Sequence, residues 1–128
     1  MASGNFVLDK GYDAAAQILK YRAVKFSAAQ TVTPITGATD KVAGVEQFGA
    51  LTAEIAKGKG ASIRMAGITE MEASEAIAVG DLVAITTDGR ARIAIATSRQ
   101  IGLCVGHPSG VAGDRVSVLL ALPGTIVA

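Results

Sequence analysis

The sequence predicts a mainly β protein: a small β-barrel or sandwich with an extended N-terminal arm and at most one or two short helices. Three observations carry that reading. Asp88-Gly89 lies between alternating segments in residues 77–95. Asp-Gly in that setting signals a hairpin, because a type I′ turn needs positive φ at both central residues. Gly80-Asp81 and Gly113-Asp114 are near-identical turn signals, each just ahead of an apolar run. Strand-like segments this short, with turn residues about every 8–12 positions, argue for a sandwich or barrel.

The composition fits one modest domain. The chain has 128 residues, half of them apolar, yet only 4% are aromatic and none is Trp. Most of the apolar content is Ala and Val, so at roughly 25 cal/mol per Å² the core it can bury is thin. Native domains hold only about 5–15 kcal/mol in reserve, and association with further copies relieves a thin core. An oligomer is therefore expected.

Residues 1–20 read as the arm and residues 21–128 as a single β domain. Gly4, Asn5 and Gly11 punctuate the arm, which carries Phe6, Val7, Leu8 and Tyr12 without an evident strand partner, as in a loose terminus or a segment that docks on something else. Asp13-Ala14-Ala15-Ala16-Gln17-Ile18-Leu19-Lys20 has fair helix propensity with Asp13 as a possible N-cap, but helices this short are marginal alone. Arg22-Ala23-Val24-Lys25-Phe26-Ser27 then alternates, placing Val24 and Phe26 on one face. Thr31-Val32-Thr33-Pro34 is extended, with Pro34 marking an edge or a strand end.

Residues 41–48 are the next strand candidate, where Gly44 suggests a bulge or a close backbone approach. Residues 50–57 have partial helical spacing, with Thr52 as a possible cap. Gly58-Lys59-Gly60 ends that segment and opens a strand at residues 62–68. Glu70, Glu72 and Glu75 read as a polar connection to the hairpin. Residues 101–106 form a short apolar strand, and Val116, Val118, Leu120 and Leu122 share one face of the last one.

The charges argue against several function classes. Lys and Arg total 12 against 11 Asp and Glu, and the basic residues are scattered. That is unlike a nucleic-acid binder, whose affinity comes mainly from phosphate neutralisation. No apolar run approaches the ~20 residues of a membrane span, and Met1-Ala2-Ser3-Gly4-Asn5 lacks the features of a signal peptide. The chain is expected to be made in a reducing cytoplasm and to stay there until it meets its partner.

Residue chemistry offers little for catalysis. Cys104 with His107 is the best nucleophile-base pairing by type. Leu103 and Val105 flank the cysteine as in a buried strand, and on a strand the two residues face opposite ways. A single cysteine and a single histidine leave few metal or triad arrangements. Glu70 and Glu72 lack the apolar setting that separates the pKa values of a catalytic pair. Gly58-Lys59-Gly60-Ala61-Ser62 lacks phosphate-loop spacing. Gly80-Asp81 and Gly113-Asp114 read as turns more readily than as calcium ligands. No catalytic, cofactor-binding or metal-ligating residue is expected.

Taken in order, Lys20-Tyr21-Arg22-Ala23-Val24-Lys25-Phe26, Thr31-Val32-Thr33-Pro34, Val42-Ala43-Gly44-Val45, residues 73–83, Asp88-Gly89-Arg90-Ala91, Ile101-Gly102 and residues 112–120 resemble the small head-decoration, or capsid cement, proteins of tailed bacteriophages. The resemblance spans residues 20–123. It implies a mostly β domain that assembles as a homotrimer on the outer surface of a phage head. There it sits where capsomers meet and clamps the major capsid protein after shell expansion. It implies no cofactor, no nucleic-acid partner and no membrane, and a virion component made in the host cytoplasm. Phe6, Val7, Leu8 and Tyr12 are the candidate capsid or inter-trimer contacts. Two other readings stand beside it. One is a small-ligand or glycan-binding β-module on the virion surface, with Phe6, Tyr12, Tyr21, Phe26 and Phe48 as the available rings. The other is an enzyme using Cys104.

Overall fold

A computed structural model describes residues 6–127. Strands β1 (Leu8–Ala14), β2 (Ala23–Ala28), β3 (Thr31–Pro34), β4 (Gly44–Glu46) and β5 (Ala61–Ala66) form a closed barrel in the order β1-β3-β2-β4-β5. Strands β6 (Ile68–Glu72), β7 (Leu82–Ile85), β8 (Ala91–Ile93), β9 (Arg99–Cys104) and β10 (Arg115–Ile126) form a second sheet, β6-β10-β9-β7-β8. The fold is mainly β, as expected. Its one helix among the described residues, α1 (Thr52–Ala56), lies between β4 and β5 and buries none of its residues.

The N-terminal segment departs from the expected arm. From Leu8 onward it is a barrel strand, antiparallel to β5 and parallel to β3 at Asp13 and Ala14. The Asp9 carboxylate and the Arg64 guanidinium fasten β1 to β5 through two bonds of 2.8 and 3.0 Å. Nor does a helix form over residues 13–20. The Asp13 and Ala15 amides donate to Gln30 and Val32 carbonyls, and Ile18 exchanges both backbone bonds with Ala50. Those long-range partners outcompete a helix too short to stand alone. α1 starts after Leu51, and Thr52 donates its hydroxyl to Gln17 instead of capping the helix.

Two further expectations change. Residues 68–72 are a strand, not a connection: Thr69 and Met71 turn inward, while Ile68, Glu70 and Glu72 are only partly covered. The hairpin is a Thr86–Arg90 loop in which Gly89 alone has positive φ (+83°), so it is no type I′ turn. Asp88 keeps negative φ and uses its carboxylate to accept from Thr86 Oγ1 and Arg90 Nε. A left-handed glycine after an ordinary turn is the alternative two-strand connection.

Two apolar cores follow from strand alternation. Inside the barrel lie Tyr12, Ile18, Val24, Val32, Ala43 and Ile63. Gly44 keeps this interior tight, since a Cβ there would stand 2.4 Å from the Arg64 carbonyl oxygen and from Ile63 Cγ2. The opposite faces of β2 and β4 contribute Ala23 and Val45 to the second core. That core also holds Ile35, Val42, Met71, Ile77, Val83, Ile85, Ile101, Val116 and Val118. The barrel wall thus serves as the lid of the second sheet. Leu120 and Leu122 pack at its margin, as the period-two pattern of the last strand required.

The hairpin tip locks the two sheets together. The Ala23 amide donates to the Gly89 carbonyl over 2.9 Å, and a Cβ on Gly89 would meet the Ala23 carbonyl oxygen at 2.7 Å. Around it, Arg22 contacts Glu72 at 3.2 Å and Asp88 at 3.7 Å, while Arg90 contacts Asp88 at 3.1 Å and Glu72 at 3.7 Å. Gly89→Ala is expected to destabilise the protein by about 2–4 kcal/mol, from left-handed strain plus the clash with β2. Urea unfolding of the variant measures this, and a loss well under 1 kcal/mol would show that the tip does not hold the sheets.

Acid should loosen the same scaffold. The Arg64 hydrogen bond holds the Asp9 carboxyl below its ordinary value, outweighing partial burial. Burial pushes the Asp40 and Asp88 carboxyls up, but bonds from Lys25, Thr36 and Gly37, and from Thr86 and Arg90, outweigh it and leave both lowered. A folded pKa below the unfolded value of about 3.9 gives a contribution complete above that pH and lost as pH falls through the lower folded values. Unfolding free energy is expected to hold down to about pH 5 and to fall below about pH 4. The loss should be shallower in Asp9→Asn and Asp40→Asn, which have no such carboxylate to protonate.

Candidate interaction surfaces

The four residues of the expected contact set separate in the structure. Phe6 is 93% exposed and leads into β1, with Val7 and Leu8 also exposed. Tyr12 is instead buried in the barrel, its ring edge-on to Phe26 at 5.2 Å and its hydroxyl donating to Met65 Sδ at 3.4 Å. Tyr12 is therefore a core residue and is removed from the contact set. β1 reads Leu-Asp-Lys-Gly-Tyr-Asp-Ala, with one buried position in seven, so period-two hydrophobicity could not reveal it as a strand.

A second apolar surface is built by register. Leu82 of β7 stands opposite Leu103 of β9, Leu103 opposite Leu119 of β10, and Leu119 opposite Ile68 of β6. Directly opposed residues share a face. Their neighbours Val83, Cys104, Val118 and Thr69 are buried, so this row lies on the outer side of the sheet. Leu82 and Leu119 are 47% and 44% exposed. Glu70, Ser117 and Arg115 flank the row on one side, and Arg92 and Gln100 on the other. The one sequence signal for it is Leu119 itself, an apolar residue among the outward positions Arg115, Ser117 and Ala121.

The candidates for chemistry resolve into structural parts. Cys104 is fully buried, and its Sγ lies 3.9 Å from the backbone carbonyl of His107, not from the imidazole. Burial pushes the thiol up from its ordinary value, with the Asp81 charge adding to the shift and a bond from the Gly106 amide opposing it. The Asp81 carboxylate accepts the Ala78 amide, and that of Asp114 accepts the Gly110 and Val111 amides. Both aspartates close turns, and the turns lie close together, with Ile77 and Ser109 exchanging backbone bonds between them. Glu70 pairs with Arg115, and Glu72 with Arg22 and Arg90. Lys59 reaches back to Glu54 at 3.0 Å. Among the described residues no three of His, Cys, Asp and Glu converge on a metal position, and no helix is long and apolar enough to cross a membrane.

No protein-family model matches the chain, and no curated protein matches it. Among solved structures it is similar to the N base of head fiber gp8.5 of bacteriophage phi29. The TM-score is 0.65 at 15% identity, over 96% of this chain and all of that one. The two chains share a fold although little sequence is held in common.

Cys104 should behave as a core thiol. Its reaction with an aromatic disulfide reagent at neutral pH is expected to be slower than that of a free thiol by about 100-fold or more, and to recover in denaturant. Rapid stoichiometric labelling of the native protein would instead mark an accessible nucleophile.

Proposed function

We propose that the protein is a structural component of a phage virion that decorates and stabilises the capsid. On this reading it is a homotrimer on the outer surface, bound to the major capsid protein where capsomers meet. The observation that carries the reading is the fold shared with the phi29 head-fiber base over nearly the whole of both chains. The sequence resemblance to capsid cement proteins over residues 20–123 supports it independently. The protein works by binding, with no chemical step and no cofactor, and meets neither nucleic acid nor membrane. It is made in the host cytoplasm before joining the virion.

The exposed apolar groups give this reading its contacts. Phe6, Val7 and Leu8 face solvent at the entry to the barrel and suit an extended segment laid on a neighbour's sheet edge. The row formed by Leu82, Leu103 and Leu119 supplies apolar area for contact between copies. Many copies on one shell act together, so modest affinity at each site suffices.

Native mass measurement and co-sedimentation with expanded heads of the cognate phage test the proposal together. A trimer that pellets with heads is expected. Truncation of residues 1–7, which stops short of β1, should weaken head binding by about tenfold or more while leaving the fold intact. A stable monomer that ignores capsids overturns the reading.

A further inference from the structure

A cleft of about 400 Å³ lies beside the β1–β5 ladder, where the turn before β3 and the loop after β4 rise on either side. Gly11, Asp13, Gln30, Phe48, Gly60 and Ser62 line it. Tyr12 and Ala61, which also belong to the barrel core, complete the lining, and the other six residues serve neither core. From its lining we propose that this cleft binds a neutral saccharide.

The lining residues have the right chemistry. Phe48 is 76% exposed, and a ring at the edge of a cleft can stack on the C–H face of a sugar. Among the described residues, none is hydrogen-bonded to the Asp13 carboxylate, the Gln30 amide or the Ser62 hydroxyl. These supply an acceptor, a mixed donor-acceptor and a hydroxyl for sugar hydroxyls. Asp13 is the sole charged residue in the lining, which disfavours an anionic ligand. The volume falls within the ~300–1,000 Å³ typical of small-ligand sites.

A buried carboxylate fixes the geometry. Glu46 is 1% exposed, and its Oε1 accepts the Phe48 amide at 3.1 Å and the Ser62 amide at 3.2 Å. Its Oε2 is buried without a hydrogen-bond partner. A buried carboxylate with one oxygen unpaired is costly, and the two backbone amides it accepts are what it holds in return. Glu46 thus ties the aromatic platform and the hydroxyl segment to one point, the kind of pre-organisation that weak polar recognition requires.

The proposal stands apart from capsid binding and is tested without phage heads. Isotope-labelled protein is titrated with cellotriose, maltotriose and chitotriose at millimolar concentration while backbone amide resonances are followed. Shifts confined to Gly11, Asp13, Phe48 and Ser62 with at least one of these sugars are expected. Phe48→Ala should weaken that response about tenfold with the remaining spectrum unchanged, since the ring is exposed. Gly11→Leu should abolish it by filling the cleft: a Cβ there has no neighbour nearer than the Ala61 carbonyl oxygen at 3.9 Å, and the backbone is not left-handed. No response to any of the three sugars overturns the proposal, as does equal binding by both variants. A response only to a peptide spanning residues 2–10 of this chain also overturns it and assigns the cleft to the N-terminal segment of a second copy.

Discussion

Where the β7–β8 hairpin touches the start of β2, one backbone hydrogen bond from Ala23 to Gly89 joins two sheets that share no ladder. The segment around it belongs to both. The Tyr21 amide donates to Glu46 in the barrel, and the Tyr21 carbonyl accepts from Glu72 in the second sheet. Arg115 and Lys20 both stack on the Tyr21 ring. Ala23 then enters the second core, and the next residue, Val24, enters the first. Any shift of this short stretch by one position would exchange the two cores, because strand side chains alternate. Close approach at Gly89 is what lets the hairpin reach it.

The charged ring around that contact is not its main support. Arg22, Glu72, Asp88 and Arg90 are all partly exposed, and exposed ion pairs contribute about 0–1 kcal/mol each. Full burial of one Val or Ile side chain contributes about 1.5–3 kcal/mol, and the second core holds several. The ion pairs therefore align the junction while apolar burial holds it. This division also explains how a chain poor in aromatic residues sustains two cores: the barrel wall contributes to both, so one layer of backbone serves two interiors.

The outer surfaces follow from the same economy. Short strands leave apolar residues at the sheet face, in the row through Leu103, and at the N-terminal entry. Free sheet edges are covered where they would invite uncontrolled pairing. Glu75 accepts the Ile93 amide at the edge of β8, and the Ser74 amide donates to Ala91. A covered edge together with limited apolar patches permits a defined set of contacts without aggregation.

By itself the sequence determined the fold class, because alternation and turn residues act within a few positions of each other. β2, β3, β9 and β10 were legible in their apolar periodicity, and the Gly80-Asp81 and Gly113-Asp114 turns in their side-chain acceptors. Tertiary structure alone decided the rest. β1 is a strand because β5 and β3 supply partners that its own residues do not announce, and Tyr12 is core for that reason. Asp88-Gly89 was legible as a hairpin, but its turn geometry depends on Thr86, Arg90 and the approach to Ala23. The outer leucine row and the cleft at Phe48 exist only once register sets residues far apart in sequence side by side. Local patterns encode which face of a strand is apolar, and long-range pairing decides what that face meets.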